Sequence, residues 1–341
     1  MKKNNNSLNK DDLSYWVSGI ADAESSFLIK VAKDTTRKFS SNINRKLNPY
    51  YVSGFSDGEA SFTVSIRENN KLKIGWVIAV AFQIHLDSKD INLLKQIKVF
   101  FGVGNISNNK DGSSTYSVTS VKDLINVIIP HFNEYSLITQ KKADFELFKQ
   151  VVYMMKDKKH LTIEGLHIII GIKASMNKGL SDNLKSTFST IIPAPRPLVI
   201  NQEIKDINWF VGFVDAEGCF FVDIFKDATK SGFTARLVFK IGQHLRDEEL
   251  MRYLINYLNC GQCKIRSDKY AIDFKVTKFS DIADKIIPIF TEYSLQGIKS
   301  FDFANFLKCA ELIKNKAHLT IEGLDQIKKI KANMNTRNIG N

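Results

Sequence analysis

Three stretches of the chain end a run of small and apolar residues on an acid pair, Asp-X-Glu. They are Val17-Ser-Gly-Ile-Ala-Asp-Ala-Glu, Val52-Ser-Gly-Phe-Ser-Asp-Gly-Glu and Val211-Gly-Phe-Val-Asp-Ala-Glu. Gly54 and Gly58 are four apart, as are Gly212 and Ala216, so on a helix each pair lies on one face and lets a second backbone come close. Two such helices, side by side, would end together at Glu59 and Glu217. Two carboxylates forced together repel and lose hydration, and a shared divalent cation relieves both costs. Oxygen ligands and a phosphate-rich substrate favour Mg²⁺ over zinc. Such an ion activates water and neutralises charge on a displaced phosphate oxygen. A lone Asp-X-Glu is ordinarily a helix cap or a surface ion pair; repetition beside two small-residue seams favours a site. Asp57 and Asp215, two residues inside each glutamate, read instead as hydrogen-bonding groups at the helix end.

The elements that would position these acids are written twice. Glu134-Tyr-Ser-Leu recurs as Glu292-Tyr-Ser-Leu, and His160-Leu-Thr-Ile-Glu-Gly as His318-Leu-Thr-Ile-Glu-Gly. The spacing is constant: 292 − 134 = 158 and 318 − 160 = 158. Gly54, Asp57 and Glu59 fall on Gly212, Asp215 and Glu217 at the same spacing. A period this long is a duplication rather than a solenoid. Each half reads as a short helix (50–59), strands at 60–69 and 74–86, and a helix at 88–100. Strands at 103–109 and 113–119 follow, then helices near 121–130, 139–156 and 163–176. After the motif, Phe62, Val64 and Ile66 alternate with Ser61, Thr63, Ser65 and Arg67, the pattern of a sheet with one buried face. The fold class is therefore α+β, with helices on the apolar face of each antiparallel sheet and the polar face left for a partner. Pro193, Pro195 and Pro197 mark a linker at 181–207 that opposes a helix and favours an extended crossing. It separates units at 48–180 and 208–341, with an N-terminal extension at 1–47.

Charge narrows the partner. The chain carries 48 Lys and Arg against 36 Asp and Glu, a net +12 over 341 residues. That excess points to a polyanion, with a membrane surface or plain solubility as the alternatives. No apolar run reaches transmembrane length, and the N-terminus lacks the pattern of a signal or transit peptide. Four cysteines give no disulfide framework. Cys260 and Cys263 have zinc-like spacing but no second ligand pair. His160 and His318 each precede a helix-start pattern and read as structural.

Val52-Ser-Gly-Phe-Ser-Asp-Gly-Glu and Phe210-Val-Gly-Phe-Val-Asp-Ala-Glu resemble the two signature helices of single-chain LAGLIDADG homing endonucleases. Asn48-Pro-Tyr, Phe82-Gln-Ile, Leu137-Ile-Thr-Gln-Lys, Gly218-Cys-Phe-Phe and Lys275-Val-Thr-Lys-Phe-Ser-Asp resemble the I-OnuI-like group encoded in organellar introns. The resemblance covers about residues 47–338. It implies two pseudo-symmetric αββαββα units whose antiparallel strands form a saddle in the DNA major groove. It implies a monomer cutting both strands across the minor groove, leaving short 3′ overhangs and serving intron mobility. Carried over, Glu59 and Glu217 hold the metal, with the backbone of Ala60 and Gly218 as further ligands. The cofactor would be Mg²⁺, with Mn²⁺ or Ca²⁺ as substitutes for binding. Lys141 and Lys299 match basic residues near the scissile phosphates; a solvated surface charge is the alternative for each. Gln83 matches a polar strand residue that helps hold water on the metal, and Lys240 replaces it in the second half, so the half-sites need not be equally competent.

Base contacts would come from the open strand face. The candidates are Ser61, Thr63, Ser65, Arg67, Asn69 and Lys71 in one half. In the other they are Asp223, Thr234, Arg236, Lys264, Arg266 and Lys275. Phe221 and Phe225 fall on the same face, either to meet thymine methyl groups or as core residues of a twisted strand. The implied partner is double-stranded DNA and the implied compartment the mitochondrion, where an organelle-encoded protein needs no transit peptide. The alternative is an intron-encoded splicing maturase on the same scaffold, with host intron RNA as its partner. A non-catalytic DNA-binding regulator is a third reading. The copy at Val17–Phe27 stands only 59 − 24 = 35 residues before Glu59. That leaves room for a strand and a loop, not for a unit, so residues 1–47 read as a dispensable extension with a truncated copy.

Overall fold

The computed structural model describes residues 46–228 and 232–334; the extension, including Glu24, lies outside them. Helix α1 (Pro49–Glu59) starts where Asn48 accepts a hydrogen bond from the Tyr50 N–H, with Pro49 at a position that has no N–H to spare. It leads directly into β1 (Ala60–Glu68), which is followed by β2 (Trp76–Asp87), α2 (Ile91–Phe101), β3 (Asn105–Asn108) and β4 (Ser113–Val118). Helices α3 (Ile129–Glu134), α4 (Lys141–Lys156) and α5 (Ile163–Ala174) complete the first unit, and α6 (Asp182–Thr187) follows. The order then repeats: α7 (Ile207–Glu217), β5 (Gly218–Lys226), β6 (Phe233–His244), α8 (Glu248–Leu258), β7 (Gln262–Ile265) and β8 (Ala271–Val276). Helices α9 (Ile287–Glu292), α10 (Lys299–Lys314) and α11 (Ile321–Lys331) end it. Each sheet is antiparallel and four-stranded, in the order β1-β2-β4-β3 and β5-β6-β8-β7.

Along β1, Phe62, Val64 and Ile66 are buried while Ser61, Thr63, Ser65 and Arg67 are not, the predicted alternation. Under the first sheet Phe62 meets Phe82, Phe132, Phe145 and Phe148 at centroid distances of 5.2–5.4 Å. Phe220 meets Phe239, Phe290, Phe303 and Phe306 in the same way under the second. Rings of this size supply most of the apolar area that holds a helix layer to a sheet. Opposite both clusters, the far sheet faces stay open.

Three local features differ from the sequence expectation. The 121–130 helix is interrupted by a π turn at Leu124–Ile128, repeated at Ile282–Ile286. Pro130 and Pro288 follow two residues later and lack the N–H that an α-helical ladder needs there, so the backbone widens by one residue. Part of the linker is helical: Ser181 caps α6 by accepting from the Leu184 N–H, well before the first proline. The prolines themselves lie in chain with neither helix nor strand, and Arg196 pins that stretch to Asp144 at 2.8 Å and to the carbonyls of Ser175 and Gln140. Finally, the halves are not offset by a constant 158. The β1–β2 turn has one residue more than the β5–β6 turn, and the β3–β4 turn one fewer than β7–β8. The offset is therefore 157 from β2 through β3, so Gln83 corresponds to Lys240.

Candidate active site at the helix seam

The two motif helices run side by side in the same direction and touch backbone to backbone. A Cβ on Gly54 would lie 1.9 Å from the Trp209 carbonyl oxygen, and one on Gly212 would lie 2.1 Å from that of Tyr51. Further along, a Cβ on Gly58 would meet the Ala216 Cβ at 2.3 Å and the Glu217 Cγ at 3.0 Å. Only small residues permit this approach, and it delivers Glu59 and Glu217 to one place, where each helix turns into its strand.

Asp57 and Asp215 lock the seam rather than cap their own helices. Asp57 accepts from the Ile138 N–H (2.8 Å), the Thr139 N–H (3.2 Å) and hydroxyl (2.5 Å), and from Trp209 Nε1 (2.9 Å) of the opposite motif helix. Asp215 accepts from the N–H groups of Gln296 and Gly297 and from the Tyr51 hydroxyl at 2.6 Å. Tyr51 and Trp209 occupy equivalent positions, so each half donates one aromatic polar group to the other half's aspartate. Burial pushes Asp57 up to about 6 despite those hydrogen bonds. Where Thr139 supplies a hydroxyl, the second half has Gly297, and Asp215 Oδ1 is buried without a hydrogen-bond partner. These cross-seam donors, and Asp247 and Asp90, which accept from the Gln140 and Ile298 N–H groups of the other half, were not found by sequence reasoning. Nothing in a single chain marks a contact between residues 100–200 positions apart.

The electrostatics follow from this burial. Desolvation first, and the neighbouring Glu217 carboxylate second, raise Glu59 to about 7 against the pull of Lys299 and Lys141. Burial also raises Glu217, while Lys141, Lys299 and a 3.4 Å contact from Gln243 Nε2 draw it back. Gln243 has no counterpart: the equivalent residue is Leu86. The two lysines are not solvated charges. Lys141 Nζ donates to the carbonyls of Ser56 (3.0 Å) and Gly58 (2.8 Å), and Lys299 Nζ to those of Val214 (3.0 Å) and Ala216 (2.9 Å). Each cation thus closes the negative end of a motif helix beside its glutamate. Burial lowers the Lys141 pKa, and Asp57 and the two glutamates oppose that fall.

This donor set suits a hard divalent cation in one specific way. Two half-buried carboxylates converge where Lys141 and Lys299 offset only part of their desolvation, and no group of three or more His, Cys, Asp or Glu forms a closed cage among the described residues. An ion held there keeps coordination positions for water and phosphate. The N–H groups of Ala60 and Gly218 are occupied by the carbonyls of Ser56 and Val214, so only their carbonyls could serve as ligands. Cys263 Sγ donates to the Met251 carbonyl and takes no part.

From this centre the open faces of the two sheets extend outward. Ser61 pairs with Gln83, Thr63 with Ala81 and Ser65 with Ala79, so these candidates share the first face, with Gln83 next to the motif. Arg67 Nε donates to Ser65 Oγ at 3.1 Å. Asn69 and Lys71 instead lie in the β1–β2 turn, where Asn69 Oδ1 accepts from the Lys71 N–H. The strand ends at Glu68 because the chain must reverse there, so Asn69 is committed to turn geometry. On the second face Cys219 pairs with Lys240, Phe221 with Val238, Asp223 with Arg236 and Phe225 with Thr234. Phe221 and Phe225 are outside the core; Phe225 lies under Arg236, 4.8 Å from guanidinium to ring. Thr234, paired with Phe225 on the same face, is only 5% exposed. Lys264, Arg266 and Lys275 share that face through the β7 and β8 register. Lys240 Nζ lies 3.8 Å from Asp273.

Two four-stranded sheets, each with one open face, thus flank a pair of acid-bearing helices. The family profile of LAGLIDADG endonucleases matches residues 52–152 and 210–310, and the chain belongs to that family. It is 40% identical over 263 residues to probable intron-encoded endonuclease 3 of Neurospora crassa, covering 76% of this chain and 49% of that one. It is 40% identical over 276 residues to probable intron-encoded endonuclease 2 of the same organism, covering 77% and 60%. The chain thus spans about half to three-fifths of the length of these relatives. Among solved structures, the meganuclease I-SmaMI bound to uncleaveable DNA superposes with a TM-score of 0.84 at 44% identity. The match covers 86% of this chain and 98% of that one. I-SmaMI has also been seen on cleaved DNA, and on an uncleaved target in the presence of calcium ions.

Proposed function

We propose that the chain is a site-specific endonuclease that hydrolyses both strands of a long DNA target. The observation that carries this reading is the pair of half-buried carboxylates Glu59 and Glu217, both raised by desolvation, at the junction of two open strand faces. The likeness to I-SmaMI, seen on cleaved DNA, supports it. A divalent cation, Mg²⁺ as the natural ion, would supply Lewis acidity and charge neutralisation when held between the two glutamates. The chain's own residues do the rest. Glu59 and Glu217 stay ionised to hold it; Lys141 and Lys299 fix the helix ends that aim them. The strand faces fix the register of the duplex, so that one phosphate of each strand reaches the seam. The protein works as a monomer whose internal pseudo-two-fold axis faces the centre of the target. Its intron-encoded relatives favour a mitochondrial intron as its gene and intron mobility as its role.

The test is cleavage of a randomised or intron-junction DNA library with Mg²⁺. Glu59→Gln and Glu217→Gln should each abolish double-strand cleavage while DNA affinity stays within a few-fold of the parent. Normal double-strand cleavage by either variant would overturn the assignment.

A further inference from the structure

The two open faces carry different chemistry at equivalent positions, close to the seam. On the second face, Arg266 follows the last residue of β7, and its Nε (3.0 Å) and Nη2 (2.7 Å) both donate to Asp273 Oδ1. Gly242, paired with Asp273 across β6 and β8, makes room for this: a Cβ there would lie 2.6 Å from Arg266 Nη2 and 3.0 Å from Asp273 Oδ1. The first face has Asn109, Thr115 and His85 at the same three places, paired in the same register. There no arginine–carboxylate pair fills those places, and the one carboxylate in reach, Asp111, accepts from the Ser113 hydroxyl. Asn109 Nδ2 donates to the hydroxyls of Thr115 (3.0 Å) and Ser113 (2.9 Å), and Thr115 Oγ1 lies 2.9 Å from His85 Nδ1.

What each arrangement leaves over decides what it can read. The carboxylate occupies one edge of the Arg266 guanidinium and fixes its plane; the other end keeps parallel N–H donors that no described residue accepts from. In the major groove guanine alone offers two acceptors, O6 and N7, to such a pair. Asn109 spends both amide hydrogens on hydroxyls, so its Oδ1 is left as an acceptor, which suits the exocyclic amino group of adenine or cytosine and not guanine.

We propose that Arg266, preset by Asp273 over Gly242, selects a guanine in one half of the target. Asn109 selects an amino-bearing base at the symmetry-related position of the other half. The inference rests on the DNA-cutting reading above. The ligand is therefore asymmetric about its centre at this pair of positions, and the cause is the replacement of an amide–hydroxyl–imidazole set by an arginine held on a carboxylate. Arg236 repeats the device further out: its Nε and Nη2 hold Asp223 Oδ2 at 3.0 and 2.7 Å. Asp223 is therefore a positioning residue for Arg236 rather than a reader of bases.

The experiment is selection of DNA from a randomised duplex library by binding in Ca²⁺, sequencing the bound pool for the parent, Arg266→Ala, Arg266→Lys and Asn109→Ala. The parent should enrich guanine at one position, and both Arg266 variants should lose roughly 5- to 150-fold of that preference. Arg266→Lys keeps the charge without the fork, so the binding it retains should be spread evenly over the four bases at that position. Asn109→Ala should relax a second position at the same distance on the other side of the centre. Uniform weakening across all sequences by Arg266→Ala, with no base preference lost, would overturn the inference and mark a phosphate contact. So would the same preferred base at both mirrored positions. Failure of the parent to enrich any sequence would instead sink the endonuclease reading itself.

Discussion

Replacing Glu59 by Gln should make the DNA-free, metal-free protein more stable, although it destroys the proposed site. Glu59 sits at about 7 in the folded chain against 4.5 for the free side chain, raised by burial and by Glu217. Below pH 4.5 the group is protonated in both folded and unfolded chains, and its favourable contribution is complete. As pH rises from 4.5 through about 7, the unfolded chain ionises first and that contribution is lost. Above 7 the folded protein carries a carboxylate it would rather protonate. At 1.36 kcal/mol per pH unit the gap costs about 3 kcal/mol near pH 8, and about 1 kcal/mol or less near pH 5. Gln has nearly the same shape and no charge to bury, so it avoids that cost.

The assay is thermal melting in chelator across pH 5 to 8. With roughly 2–4 °C per kcal/mol for domains of this size, Glu59→Gln should melt several degrees above the parent at pH 8 and close to it at pH 5. Millimolar Mg²⁺ or Ca²⁺ at pH 8 should then raise the parent and leave the variant unmoved. A variant that melts at or below the parent at pH 8 would refute the reasoning. A gain of the same size at both pH values would refute it as well.

Two further outcomes follow from the seam and from the extension. Gly54→Ala and Gly212→Ala place a Cβ about 2 Å from an opposing backbone carbonyl, which can yield only if the helices part; each should cost about 3 kcal/mol or more in chemical denaturation. Near-parental stability of either would contradict the backbone contact. Deleting residues 1–46 should leave library cleavage specific and undiminished, since Glu24 has no complete unit behind it; loss of activity in soluble truncated protein would reverse that view.

The duplication made much of this fold readable. Repeated tetrapeptides fixed the two halves, and alternation after each motif placed Ser61, Thr63 and Ser65 on the open face and Phe62, Val64 and Ile66 beneath it. Register shifts were harder. The one-residue differences at the hairpin turns cancel between β1 and β4, so motifs on either side kept a spacing of 158 while the strands between slipped by one. The partners of Lys141 and Lys299 were beyond reach because each folds back over more than 80 positions onto the motif helix of its own half, and the Trp209 donor to Asp57 depends on how the two halves dock. Lys141 in particular read as a choice between a phosphate contact and a solvated charge; in the fold its half-buried ammonium donates to its own motif helix.

The halves have diverged unevenly, and the geometry explains where. A residue at the seam meets the opposite half's backbone: Gly54 faces Trp209, Gly212 faces Tyr51, and each aspartate depends on the other half's aromatic donor. A change on one side is felt at once on the other, so these positions hold matched chemistry across the pseudo-axis. The open faces have no such opposition. Arg266, Asp273 and Gly242 can replace Asn109, Thr115 and His85 without disturbing a single core ring, because alternation points them away from the phenylalanine clusters. A duplicated scaffold of this kind keeps its matched helix seam while its two open faces move apart, and the asymmetric target proposed above is the physical consequence.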